Sequence, residues 1–189
     1  MALIGLDNLV YVKMTDEKAE TYDSLINKIP GIIEANIEPS VNTASLYADD
    51  GLHETATSLG QITVSLNIAQ IPTKAVADLL GHKVDAQGVL VKSSDDVAPY
   101  VAIAFRSRKS NGEYRYKWLF KGKFSLPKES HKTQEENISY QTETIEGVFM
   151  RRATDKQWEA SIDSDDSTIT ESVVTNWFTK PYDGTTMAG

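Results

Sequence analysis

Cysteine is absent from all 189 residues, which excludes disulfides, thiolate chemistry and cysteine-based zinc sites and suits a reducing compartment. No run approaches the roughly 20 apolar residues of a membrane-spanning helix, so no membrane role is expected. The opening MALIGLDNLVYVKM lacks a basic start, a continuous apolar core and a small-residue cleavage site, so no signal peptide is expected. Of the three histidines, His82 and His131 have no serine, cysteine or aspartate that local spacing brings within reach. No glycine-rich phosphate loop is present. Without these handles an enzyme is not expected, and neither a cofactor nor a metal is implied. The last absence is regional. Between Ile29 and Thr73 there is no Lys or Arg, while Glu34, Glu38, Asp49, Asp50 and Glu54 add negative charge.

The length fits one domain, expected over residues 1–180, with a disordered tail at 181–189. An apolar fraction of 40% beside 24% charged residues is ordinary for a globular protein. The net charge of −8 is unevenly spread: residues 106–132 hold 9 basic and 2 acidic groups, and residues 133–189 hold 4 and 11. A basic block between acidic ones can bind an anion or meet an acidic block on another copy of the chain.

The clearest strand signal is Gln61 to Ala69, where Ile62, Val64, Leu66 and Ile68 alternate with Thr63, Ser65 and Asn67. Before it lies LYADDGLHETATSLG, a polar stretch with too few apolar residues to pack itself, predicted as a long loop that a neighbour orders. Leu3 to Met14 reads as an edge or lead-in strand and Asp16 to Lys28 as a polar loop. Ile32 to Leu46 reads as a strand that weakens or bulges at Pro39. Pro72 to Gly81 reads as a helix capped by Thr73, with Gly81 as a left-handed C-terminal cap. A small hairpin follows at Val84 to Val91. The strongest hairpin is Tyr100 to Phe124, turning at Ser110-Asn111-Gly112. Strands are also predicted at Ile138 to Gln141, Thr144 to Arg152 and Trp158 to Ile162. A last helix is predicted at Thr168 to Phe178. About eight strands against two short helices predict a β-rich fold, a sandwich or small barrel with a helix packed on it.

Two clusters invite chemistry. Asp49, Asp50, His53 and Glu54 are metal-type ligands, but their spacing matches no calcium loop, and solvated or partner-facing carboxylates are the better reading. Residues 113–124 interleave aromatics with cations, as single-strand-binding sheets do. The period argues otherwise, because Tyr114, Tyr116, Trp118 and Phe120 share one face while Arg115, Lys117 and Lys121 share the other. Aromatics in the core and cations outward is the expected arrangement. The alternatives left open are such a nucleic-acid binder and a monomeric β-sandwich that binds a small ligand or a host protein.

Several long strings carry a resemblance: LYADDGLHETATSLG, IPTKAVADLLGH, DDVAPYVAIAFRSRKSNGEYRYKWLFKGKFS, IGLDNLVYVKMT, IEGVFMRR and NWF. Together they resemble the major tail proteins, or tail tube proteins, of long-tailed, non-contractile bacteriophages. The resemblance implies rings of six subunits that stack into a conduit for the genome, with long loops binding adjacent rings. Leu46, Tyr47, Asp49, Asp50, Gly51, Glu54, Thr55, Thr57, Leu59 and Gly60 would lie in such a loop. Arg115, Lys117 and Lys121 would offer it a complementary basic face. The implied partners are the chain itself, tape-measure proteins and tail-terminator or tail-tip proteins, with DNA as non-specific cargo. The implied location is the virion tail, assembled in the host cytoplasm.

Overall fold

The computed structural model describes residues 2–48, 50–128, 133 and 141–184. Strands dominate: β1 (Leu3–Asp16), β2 (Thr21–Tyr22), β3 (Asn27–Lys28), β4 (Ile32–Ala48) and β5 (Gly51–Ile68) precede helix α1 (Thr73–Leu80). After it come β6 (Lys83–Val84), β7 (Leu90–Val91), β8 (Val101–Lys109), β9 (Tyr114–Phe124), β10 (Glu143–Met150), β11 (Glu159–Asp163) and helix α2 (Glu171–Asn176). Nine strands form one mixed-length antiparallel sheet in the order β2-β1-β8-β9-β10-β5-β4, with β3 on β1 and β11 on β9. The sheet does not close into a barrel among the described residues, although β1 and β4 approach one another.

The sheet changes character across its width. β8, most of β9 and β1 from Leu9 to Met14 are buried on both faces. On one face Leu9, Tyr11, Ile103 and Leu119 join Ile62, Val64, Leu66, Ile68, Ile145 and Phe149 under α1. On the other, Val12, Ala104, Tyr116, Trp118 and Phe120 pack against Trp177 at the end of α2. The Trp118 indole donates to the Trp177 carbonyl at 2.8 Å, which fixes α2 on β9. α1 is tied to β1 through Asp78, which accepts from Tyr11 Oη and Lys13 Nζ, both at 2.8 Å. Toward β10, β5 and β4 only one face is covered, so those strands keep the hydrophobic–polar alternation of a half-buried sheet.

Cross-strand glycines explain the packing between β9 and β10. Gly122 pairs with Phe149 and Gly147 with Phe124, so each ring lies over the glycine opposite. The two rings meet edge to face, 5.7 Å apart. A Cβ on Gly122 would stand 2.4 Å from the Phe149 ring.

Several expectations are corrected. The polar stretch before Gln61 is not a loop: it forms strand from both sides, pairing Val41 with Leu59 through to Ala48 with Gly51. Residues 55–58, like 41–45 opposite, are mostly β-branched or small and alternate across a pleat, and hairpin pairing satisfies the backbone without apolar packing. β1 is an edge only in its first half: β8 flanks it from Leu3 to Lys13, and β3 and β2 pair with its other side from Val10 on. The 16–28 segment accordingly contains two short strands. Thr73 makes no cap hydrogen bond and lies inside α1, with Pro72 at the N-cap position. α2 is shorter than its apolar spacing suggests. Other expectations hold: Gly81 takes the left-handed C-terminal cap (φ 76°) and Gly112 the positive φ (92°) of the β8–β9 turn. The strand expected at 138–141 falls almost wholly outside the described residues. At the chain end Pro181 is buried and Tyr182 stacks on Trp177, 5.8 Å between ring centres.

The fold sets a stability test. Trp118→Ala empties a fully buried site and is expected to cost about 3–5 kcal/mol in urea unfolding. Gly122→Ala is expected to cost about 1–3 kcal/mol because the Phe149 ring must shift. Unchanged midpoints would show that this packing is not as described.

Candidate functional site

A bulge marks where β4 and β5 leave the body of the sheet. Pro39 pairs with Ile62 and Val41 with Leu59, so β5 carries one extra residue at Gly60-Gln61. β10 stops supporting β5 at the same level, where Phe149 pairs with Ile62. Beyond it the hairpin runs as a bare two-stranded ribbon whose described side chains in 41–46 and 53–59 are all exposed. Asp50 sits in the tip turn with φ 58°, which aspartate tolerates better than most residues. Asp49 lies outside the described residues.

The ribbon has two distinct faces. Val41–Leu59, Thr43–Thr57 and Ser45–Thr55 are cross-strand pairs on one, and Asn42–Ser58, Ala44–Ala56 and Leu46–Glu54 on the other. No charged residue occurs in 39–48 or 55–70, so charge is confined to the tip. Of the expected inter-subunit residues, Leu46, Asp50, Gly51, Glu54, Thr55, Thr57 and Leu59 are exposed, and Gly60 lies at the bulge. Tyr47 pairs with Leu52 near the tip. β4 ends the sheet, so its outer edge has no ladder partner among the described residues. Isolated hairpins are marginal in water, and a long unpaired edge is a template for another strand.

The expected basic face looks different in three dimensions. Ile103 pairs with Leu119 but Val101 with Gly122, so β9 has an extra residue at Phe120-Lys121. That bulge puts Lys121 across the sheet from Arg115 and Lys117. Each of the three holds a carboxylate of its own chain. Arg115 binds Asp163 with two hydrogen bonds of 2.7 and 2.8 Å, and Lys117 binds Glu159 at 2.8 Å. Lys109 and Asn111 bind Asp165 at 2.5 and 3.0 Å, and Arg106 binds Asp7 at 2.5 Å. The Arg115 guanidinium, followed by Lys109, holds Asp163 at about 2. Much of the basic block is thus paired from within, largely by β11 and the residues just after it.

Lys121 belongs to a buried network that sequence spacing could not reveal. Its ammonium lies 2.5 Å from Glu20, a residue at φ 52°, and both side chains are nearly covered. Glu20 also accepts from the amides of Ala153 and Thr154 and from the Thr154 hydroxyl at 2.7–3.0 Å. Burial opposes its charge, but Lys121 and these donors outweigh burial and hold the carboxyl at about 2. Arg152, 5% exposed, stacks over Phe120 and binds Asp155 through two nitrogens. The turn after β10 is thereby fixed from inside.

Aromatic access decides against base stacking on β9, since Trp118 and Phe120 are fully buried and Tyr116 nearly so. His82, lacking a neighbour in sequence, is given one by the fold: its Nδ1 lies 2.6 Å from Asp96. Its Nε2 is buried without a hydrogen-bond partner, so the pair serves to pin the 93–96 loop to the end of α1. His131 lies outside the described residues. Among the described residues no group of three or more His, Asp or Glu could hold a metal ion, and no helix is long and apolar enough to cross a membrane.

The profile of the phage tail tube protein family matches residues 21–182, from the start of β2 to the tyrosine stacked on Trp177. The chain belongs to this family. The match takes in the ribbon, both helices and all strands but β1, so the tail tube family's structural role in the phage virion extends to this chain. A search of curated proteins found no match.

The Glu20 network gives a pH test. Glu20 has a lower pKa folded than unfolded (about 2 against 4.5), so its contribution is complete above pH 4.5 and is lost as pH falls toward 2. Glu20→Gln strands the Lys121 charge and is expected to cost about 3–5 kcal/mol at pH 7, with the deficit shrinking as the pH falls to 2.5. Urea midpoints across that range check it. A deficit independent of pH would show that the ion pair is not its source.

Proposed function

We propose that this chain assembles into stacked rings, six subunits in each by family resemblance, forming the tube through which a phage genome passes. The observation that carries the reading is β4: a 17-residue strand whose outer edge has no ladder partner among the described residues and whose far half forms a ribbon with exposed side chains at 41–46 and 53–59. Strand pairing between neighbours would cover that edge, and ribbons reaching to a neighbouring ring would be covered in turn. The ribbon residues Leu46 to Gly60 are the inter-subunit element of this proposal.

The uncovered face of β4, β5 and β10 supports a lumen wall. Three rows cross it: Glu34–Asn67–Thr144, Asn36–Ser65–Glu146 and Glu38–Thr63–Val148. They hold three carboxylates and no cation. Such a surface repels phosphate and lets DNA slide without sticking. Tape-measure and tail-terminator or tail-tip proteins would bound the tube, assembly would take place in the host cytoplasm, and no catalytic step is assigned.

Electron microscopy and light scattering test this reading. Rings or tubes are expected at raised concentration or after seeding with purified tail tips. In hydrogen exchange, amides of residues 41–59 are expected to gain protection on assembly, because the free ribbon has two open edges. A particle that stays at 20.9 kDa with seeds present would overturn the proposal.

A further inference from the structure

We propose that the turn at 151–157 is the docking site for the ribbon tip of a second copy of this chain. The inference rests on the self-assembly reading and names the surface that reading leaves open. At the root of the ribbon, Leu59, Met150, Arg151, Arg152 and Lys156 line a pocket of about 450 Å³. Its apolar part is exposed, Leu59 at 41% and Met150 at 38%. Arg152 is committed to Asp155, but Arg151 and Lys156 have no ion pair among the described residues. Lys156 is held at φ 61° in a turn closed by Arg152 N–H donating to the Gln157 carbonyl at 2.8 Å. Glu20 braces the same turn through the amides of Ala153 and Thr154. Two unneutralised cations are thus presented on a preorganised loop beside exposed apolar side chains.

The complement is the tip. Asp50 and Glu54 have no ion pair among the described residues, and Leu46, opposite Glu54, is 55% exposed. Asp49 adds a third carboxylate in sequence. Contact within one chain is ruled out by length: Gly60 is nine steps along the strand from Gly51, and at about 3.3 Å each the tip stands about 30 Å from the root. The tip therefore meets the turn of another copy. Because the two patches differ, the contact is head-to-tail and repeats from subunit to subunit. Arg115, Lys117 and Lys121 of β9 are poorer candidates, since each would have to release a carboxylate first, and Lys123 is engaged over the Tyr100 ring at 4.0 Å.

The absence of native cysteine permits a direct test. Glu54→Cys protein is mixed with Arg151→Cys protein under mild oxidation, with Glu54→Cys plus Arg115→Cys as the control pair. Thiols brought together in a complex reach about millimolar effective concentration, so the first pair is expected to form the disulfide-linked dimer at least tenfold faster. Salt near 1 M, where the Debye length is about 3 Å, is expected to slow it. Equal rates, or a faster control pair, would overturn the inference. A second arm uses charge: Asp50→Lys with Glu54→Lys is expected to block seeded growth, and Arg151→Glu with Lys156→Glu added to the same chain to restore it. Growth that is never lost, or never restored, overturns the inference while tubes formed by the wild-type chain leave the assembly reading standing. If the wild-type chain forms no tubes with seeds, the assembly reading itself fails.

Discussion

Every strand has two hydrogen-bonding edges, and where those edges find partners decides most of this structure. β9 uses both along most of its length: β8 beside residues 114–122 on one side, and on the other β11 beside residues 115–119 and β10 beside 121–124. That satisfaction lets most of it be buried on both faces, which in turn recruits one helix to each side of the sheet. β4 is the opposite case. One edge is filled by β5 and the other has no ladder partner among the described residues, and beyond Pro39 even β5 has lost β10. Natural sheets usually protect such edges with lysine, proline or a covering loop. Here there is one proline and no lysine, so the edge is left open to another strand.

Charge follows the same division. The basic hairpin meets carboxylates from β1, β11 and the segment after β11, and its strongest pairs join residues some 40 to 100 positions apart. Individually the exposed pairs contribute little. Collectively they offset much of the basic block's positive field, while β4, the ribbon tip and the uncovered face carry unpaired negative charge. A conduit for a polyanion needs that distribution, and a nucleic-acid binder needs its inverse.

Much of this was legible in one dimension. The alternation at Ile62 to Ile68 and at Ile145 to Phe149, the Asn111-Gly112 turn and the Gly81 cap are local signals with local causes, and they appear where their residues stand. The ribbon was misread because a strand with neither face buried loses the hydrophobic alternation by which strands are recognised. Its threonines and alanines match loop composition and bare-hairpin composition equally. The basic face was misread for another reason. A single-residue bulge in β9 inverts the side of every later side chain, and no composition signal marks it. Nor could spacing find Glu20 and Lys121, which meet across 101 residues.

The distribution of polarity along the ribbon carries the last step. A solvent-exposed hairpin kept apart from other strands would gain from charges along its shaft, where like charges repel a second ribbon. This shaft has none, and its hydroxyl-bearing and small side chains suit close packing with a further strand or sheet. The carboxylates gather instead at the turn, farthest from the subunit that carries them. Asp50 and Glu54 form no ion pair among the described residues, so there they add little to the stability of their own fold. They can act only where the ribbon ends, and the uncharged shaft sets the distance of that point from the root. In the proposed assembly, a ribbon built this way would separate two tasks: the shaft would supply pairing and packing without selecting a partner, and the tip would select the position at which that pairing stops.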